Sequence, residues 1–345
     1  MSLNTTLEIL MKPIFKTTAL SAVLAMTLGL PLAHAQDSDY VLNTASTGGT
    51  YHPVGTAIAT LSKIKLLPKE KFSLTAVNSA GSGANVQALA AGTAQFAILM
   101  GLYGSYAATG TGPVSEPQTN MRSISMLWQN VEQFILATDM VKDGTASDLM
   151  AAKGKTVAMG KENSGTLGSN TVLMTGLGFD FDADFDFIYA GYGPSSDALA
   201  NGQAVAAGLP SGPPTSAVTK LLSTNEGKFT ILSVTEEEAA KMDGGRNLWT
   251  PYTIAAGTYP GQTADIKTIA QPNFLAVSAD VDENHVYMLT KTIYENLAFL
   301  QAIHPATKVM NIESAVAGLP VPLHPGAARY YKEVGLDVPE RLMAK

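Results

Sequence analysis

The feature that most limits what this chain can fold into is a regular alternation of strand-like and helix-like segments. It begins near residue 39 and continues almost to the C-terminus. Residues 39–45, 72–78 and 95–100 have the apolar, β-branched and aromatic content of strands, and 53–61 and 85–91 between them read as helices. In the first of these helices Pro53 sits in the opening turn, where its missing N–H is not needed, and Val54, Ile58 and Leu61 share one face. Residues 123–128 and 133–138 follow as strands. A second series places strands at 156–160, 185–189, 205–209 and 229–234 and helices at 166–175, 195–201, 215–222 and 236–242. Strands at 252–256 and 273–278 and a long helical pattern at 283–303 complete the chain. Such alternation predicts an α/β protein with mainly parallel sheets covered on both faces.

The 345 residues are enough for two domains with cores of their own. A composition of 46% hydrophobic and 15% charged residues, with 31 Gly and 18 Pro, suits a globular fold with many tight turns rather than a disordered chain. Two series with a late return imply two lobes joined by two crossings, placed near 134–139 and 252–278. Lobe 1 is expected to comprise 36–135 and 255–345, and lobe 2 residues 136–254. The net charge of −7 gives no basic face for nucleic acid.

Three glycine-rich turns each link an expected strand to an expected helix. They are Thr47-Gly48-Gly49-Thr50-Tyr51, Ser79-Ala80-Gly81-Ser82-Gly83-Ala84-Asn85 and Asn163-Ser164-Gly165-Thr166. Glycine lets backbone approach a ligand closely, and a helix N-terminus supplies free N–H groups and a partial positive charge. Together they form an anion cradle, to which neighbouring hydroxyl and amide side chains add directed hydrogen bonds. Each turn by itself also reads as an ordinary helix cap, since Ser, Thr and Asn are preferred there. Three of them, divided between the two series, point to a shared cleft at the carboxyl ends of the strands.

Catalytic readings find little support. Gly160-Lys161-Glu162-Asn163-Ser164-Gly165-Thr166 resembles a phosphate loop but has Thr166 where the lysine belongs. Gly81-Ser82-Gly83 is not a nucleophile elbow. His52, His285, His304 and His324 show no metal-ligand spacing, and only His52 lies beside a glycine turn. The Phe/Asp alternation at 179–187 lacks the Gly and Glu of a calcium loop. No metal and no cofactor are expected.

The N-terminus has the order of a secretory signal. Lys12 and Lys16 precede an apolar run from Ala19 to Leu32, and Ala33-His34-Ala35 offers a cleavage site before Gln36. A run of about 14 residues is too short to span a bilayer, which disfavours the competing reading of an uncleaved anchor. Residues 1–35 are therefore expected to be a signal peptide, with Met11 an alternative natural start. There are no cysteines, so no disulfides staple the fold and no lipid can be attached at a cleavage-site Cys.

Several motifs resemble the TAXI family, the solute-binding proteins of one branch of tripartite ATP-independent periplasmic (TRAP) transporters. Thr47-Gly48-Gly49-Thr50-Tyr51-His52-Pro53 is similar to the family's N-terminal G-G-T-Y-x-P. Ser82-Gly83-Ala84-Asn85, with Leu89 and Gly92, is similar to its glycine- and serine-rich turn. Asn163-Ser164-Gly165-Thr166 is similar to its G-S-G-T. The most specific match is Gly318-Leu319-Pro320-Val321-Pro322-Leu323-His324-Pro325-Gly326-Ala327-Ala328-Arg329-Tyr330-Tyr331, which resembles the ending P-x-H-x-G-A-x-R-Y/F-Y. The resemblance covers essentially the whole chain after the signal. It implies a two-lobe periplasmic binding protein fold, type II-like, with the ligand cleft between the lobes. It also implies a TRAP membrane permease as partner and an organic anion as ligand: a dicarboxylate, glutamate, or a 2-oxoacid such as 2-oxoglutarate. Met100-Gly101-Leu102 stands where the family often has a polar residue, so this wall of the pocket is less polar. The Pro-rich run at 320–325 is read as a brace for the last helix.

The expected ligand-binding residues are Thr47, Gly49, Thr50, Tyr51, Ser82, Gly83, Asn85, Ser164, Gly165 and Thr166, with Ser211 and Gly212 reaching in from the second lobe. No Arg lies in the three turns, so backbone N–H and hydroxyl groups are expected to hold a carboxylate unless an Arg or Lys reaches in from elsewhere. The expected protein is a soluble periplasmic monomer that is not an enzyme. The alternatives are a periplasmic sensor feeding a membrane receptor kinase, and a hydrolase or transferase on a similar fold.

Overall fold

The computed structural model describes residues 38–343. The expected signal peptide and the alternative start at Met11 lie outside the described residues. The chain opens with β1 (Ser38–Asn43), α1 (Tyr51–Lys65), α2 (Leu67–Glu70), β2 (Phe72–Val77), α3 (Ser82–Ala90), β3 (Phe96–Met100) and α4 (Gly101–Thr109), and then the long β4 (Met121–Val131). It continues through β5 (Phe134–Ala137), β6 (Lys155–Ala158), α5 (Gly165–Gly176), β7 (Phe185–Phe187), α6 (Tyr192–Ala200), β8 (Ala206–Gly208), α7 (Ser216–Thr224), β9 (Phe229–Ile231) and α8 (Glu236–Asp243). It returns along β10 (Thr250–Ile254) and β11 (Ile266–Ser278) to α9 (Glu283–Glu295), α10 (Leu297–Ile303) and α11 (Pro325–Glu333).

Two sheets result, one in each lobe of an α/β fold. The first has the order β10-β11-β3-β1-β2, with β4 also paired to β11. The second has the order β7-β6-β8-β5-β9. The expectation of mainly parallel sheets is corrected. Pairs β1–β2, β1–β3, β6–β7 and β6–β8 are parallel, whereas β11 pairs antiparallel with β3, β4 and β10, and β5 with β8 and β9. The strands that carry the chain between the sheets run counter to their neighbours, and each adds an antiparallel margin to a parallel core. The passage from the first sheet to the second occupies only Glu132 and Gln133, between β4 and β5.

Local chemistry explains most boundaries. α8 opens with a capping box: Thr235 Oγ1 accepts from Glu238 N, and the Glu238 carboxylate accepts from Thr235 N. Asp282 caps α9 by accepting from His285 N. The expected continuous helix at 283–303 is broken at Asn296, whose φ of −127° is not helical and whose side chain donates to Thr292 O. α4 escaped the sequence reading because it is apolar almost all round and contains two glycines, so it has no polar stripe. β3 is buried at all five positions because helices cover both faces of its sheet.

The C-terminal Pro-rich run lies against the first lobe. Ser123 N donates to Pro322 O, His324 N donates to Ser123 O, and the His324 ring meets Val281 O at 3.0 Å. Behind it Tyr331 is wholly buried and donates to Ile124 O. The run braces α11 against β4 and α9, as its stiffness suggests.

Candidate functional site

A cleft with about 460 Å³ of open space, part of it continuous with solvent, lies where the two sheets' carboxyl-end loops meet. The N-termini of four helices reach it: Tyr51 of α1, Ser82 of α3, Gly165 of α5 and Tyr192 of α6 all line the cleft. Two come from the side of the first sheet and two from the second. α1, α3 and α6 have no side-chain cap, since Thr50, Gly81 and Gly191 make no capping bond. No cap uses their leading N–H groups, although Ala84 N of α3 donates to Asn163 O and Tyr192 N of α6 to Ser46 Oγ. α5 is capped by Ser164, whose Oγ accepts from Leu167 N at 3.0 Å. Four partial positive charges converge on one small volume.

The turns are glycine-rich because the two sides approach each other closely. A Cβ on Gly165 would lie 2.9 Å from Ser82 Cβ and Oγ and 2.8 Å from Met100 Cε. A Cβ on Gly83 would lie 2.5 Å from Asn163 O. Hydrogen bonds join the sides around the cleft. Thr50 Oγ1 donates to Gly212 O at 3.0 Å, Ser216 Oγ to Gly48 O at 3.0 Å, and Ala84 N to Asn163 O at 2.9 Å.

Of the expected residues, Gly49, Thr50, Tyr51, Ser82, Ser164, Gly165, Thr166 and Ser211 line the cleft. Thr47, Gly83, Asn85 and Gly212 are not among its lining residues. Thr47 is exposed on the first turn. Gly83 provides the close approach to Asn163. Asn85 is buried and ties the second turn to the sheet, donating to Thr44 O and Ile98 O and accepting from Ser79 Oγ. Gly212 packs on Trp128 and offers its carbonyl to Thr50. His52 bonds Thr44 Oγ1 at 3.2 Å and does not line the cleft.

The sequence reading missed three side chains here. Lys161 is the one cationic residue among the described residues lining the cleft, and no Asp or Glu lines it. It lies two residues ahead of the third turn, in the loop from β6 to α5. Tyr192 stands opposite Gly49; its hydroxyl donates to Pro210 O and lies 2.9 Å from Thr166 Oγ1. Asn130, near the end of β4, lines the cleft, is 1% exposed, and its amide nitrogen has no partner among the described residues. Lys161 lies in the Gly160–Thr166 stretch that resembles a phosphate loop, and Tyr192 and Asn130 belong to no motif, so only placement in three dimensions puts the three on the cleft. Met100 forms the expected apolar wall. Burial pushes the Tyr51 and Tyr192 hydroxyls far above the usual phenol range, so both stay neutral. Tyr51 Oη donates to Asn273 Oδ1 at 2.5 Å, and its ring meets Trp128 edge-on at 5.9 Å.

The sequence pattern of the NMT1-like family matches residues 42–335, most of the chain. The protein belongs to the NMT1-like family. Solved structures with the same fold include MatC of Rhodopseudomonas palustris with bound malate, at 14% identity and TM-score 0.51, covering 86% of this chain and 99% of that one. The periplasmic binding protein BugD matches at 16% identity and TM-score 0.51, over 87% and 94% of the two chains. A protein of Bordetella bronchiseptica RB50 matches at 15% identity and TM-score 0.51, over 88% and 85%. This NMT1-like chain thus has the two-lobe fold of periplasmic binding proteins.

Proposed function

We propose that this protein is the solute-binding subunit of a transporter, working in the periplasm, and that it captures a small organic anion in the cleft and delivers it to a membrane permease. The observation that carries the reading is the convergence of four helix N-termini and Lys161 on a cleft that no carboxylate lines among the described residues. Such a site favours negative charge and has little to offer a cation. MatC, of the same fold, holds malate, which supports a dicarboxylate or a related 2-oxoacid such as 2-oxoglutarate, or a glutamate-like anion. The motif resemblance supports a TAXI-type protein and a TRAP permease as the finer assignment. Ligand capture would close the lobes about the crossings at 132–133 and along β10 and β11, because an anion touching both lobes stabilises the closed form over the open one.

The test is a thermal-shift screen of residues 36–345 against amino acids, mono- and dicarboxylates, 2-oxoacids and sugars. A ligand that binds only the folded protein raises its melting temperature by mass action. Dicarboxylates or 2-oxoacids should shift it and sugars should not. A shift with neutral or cationic solutes alone would overturn the anion assignment.

Ser82 Oγ accepts from Met100 N at 3.1 Å and keeps its own proton to donate. Ser82→Ala should weaken anion binding by about tenfold, from roughly 1–2 kcal/mol for a hydrogen bond to a charged group. Thr166→Ala should do the same, through loss of the Thr166–Tyr192 pair as well. Calorimetric titration with unchanged affinity in both variants would remove these residues from the site.

A further inference from the structure

Glu132 occupies the two-residue passage from β4 to β5 and is 0% exposed. Its backbone is pinned to the returning strand, with Glu132 N donating to Ile269 O at 2.9 Å and Thr268 Oγ1 donating to Glu132 O at 2.8 Å. One carboxyl oxygen accepts from Ser169 Oγ of α5 and from Trp249 Nε1 on the approach to β10, both at 2.8 Å. The other oxygen is buried and has no hydrogen-bond partner among the described residues. Gln271 of β11 faces it with its amide, while Gln271 Oε1 accepts from Leu102 N of α4 at 2.8 Å. The titratable groups that face it are the hydroxyls of Tyr51 and Tyr192, which are neutral, and no Lys, Arg or His is among the groups acting on it. The carboxyl therefore sits at a hinge, in a shell drawn from both crossings and both lobes, with no cation to balance a charge.

We propose that Glu132 is a proton site coupled to closure: the protein takes up a proton at this hinge when its lobes close on a solute and releases it when they part. The inference rests on the closing motion argued above. A shell assembled from four separate segments fits one hinge angle. Parting the lobes lets water reach the unpartnered oxygen, and hydration favours the carboxylate. In the closed arrangement burial pushes this carboxyl up to about 7, against an ordinary value of about 4.3 for a solvated Glu. The closed form thus binds the proton more tightly. Between these two values closure becomes harder as pH rises. Above about 7 Glu132 is charged in both forms and the dependence fades.

The decisive experiment needs no solute. An ideal Cβ on Gly191 lies 3.0 Å from Ser46 Cβ across the cleft and meets nothing else beyond its chain neighbours, so a shift of a few tenths of an ångström reaches disulfide range, and the chain has no cysteine of its own to interfere. A Ser46→Cys/Gly191→Cys variant locks the lobes together when oxidised. Its infrared pH titration should show one carboxyl titrating near pH 7, lost on reduction and absent when Glu132→Gln is added. If every carboxyl of the oxidised protein titrates in the ordinary range, or the late one survives Glu132→Gln, the proposal is overturned. Calorimetry of wild-type protein with 2-oxoglutarate at pH 6, in two buffers of different ionisation heat, adds a second reading. Between half and one proton should be absorbed per ligand bound, with affinity falling several-fold per pH unit around pH 6. Binding without proton uptake overturns the Glu132 inference alone. Absence of any 2-oxoglutarate binding counts against the anion reading and leaves the crosslinked titration to decide on Glu132.

Discussion

Gly165→Val should weaken ligand capture at least a hundredfold while leaving the folded protein nearly as stable as before. Gly165 begins α5 on one side of the cleft, and Ser82 and Met100 stand on the other. Even a bare Cβ would lie 2.9 Å from Ser82 Cβ, closer than real contacts allow. The Met100 thioether end can swing aside, but Ser82 Cβ is fixed to backbone at the start of α3. The valine would therefore wedge the lobes apart and fill the space between two helix N-termini. Opening relieves the clash, so the cost falls on closure rather than on either core. A hundredfold loss corresponds to about 2.7 kcal/mol. Titration calorimetry with an anion found by the thermal screen measures the loss, and circular-dichroism melting measures the fold. An affinity within threefold of wild type would mean that the lobes do not close on ligand in this arrangement.

Gly326→Val should have the opposite profile, destabilising the fold by about 3 kcal/mol or more while sparing the cleft. Gly326 lies in the first turn of α11, where a Cβ would come 2.2 Å from Glu283 O and 2.7 Å from Tyr287 N. Both are backbone atoms of α9, so no side chain can yield and the helices must separate. Separation loosens Tyr331, which is wholly buried, and the stack of Tyr294 on Tyr330 at 6.0 Å. Overpacking of this kind typically costs 1–3 kcal/mol, and more when backbone is the obstacle. A fall in urea midpoint at unchanged slope would show it. A change below about 1 kcal/mol would show that α9 and α11 can part freely.

These substitutions mark how far the residues could be read unaided. The turns at 47–51, 79–85 and 163–166 were legible because glycine and small hydroxyl residues recur between a strand and a helix three times, where any one of them alone reads as a helix cap. The motif at 318–331 was legible as a rigid brace for the same reason: three prolines limit what the backbone can do. Lys161 was visible just ahead of the third turn, but its place on the cleft depends on the lobes meeting. Tyr192 and Asn130 carried no local signal, because one follows an ordinary Gly191 cap and the other sits near the end of an apolar strand. Glu132 looked like any acidic residue between two strands.

The amino-acid pattern alone determined the alternation of strands and helices, the position of most helix starts and the glycine turns that line the cleft. Each follows from interactions within a few residues: periodicity of burial, capping, and the backbone freedom of glycine. Tertiary structure alone decided that β4, β5, β10 and β11 run antiparallel to their neighbours, that four helix N-termini share one cleft, and that Glu132 is enclosed in the passage between the two sheets. Those facts depend on contacts between segments more than a hundred residues apart, such as Trp249 with Glu132. No local rule encodes such contacts, because they arise only when segments far apart in the chain are brought together.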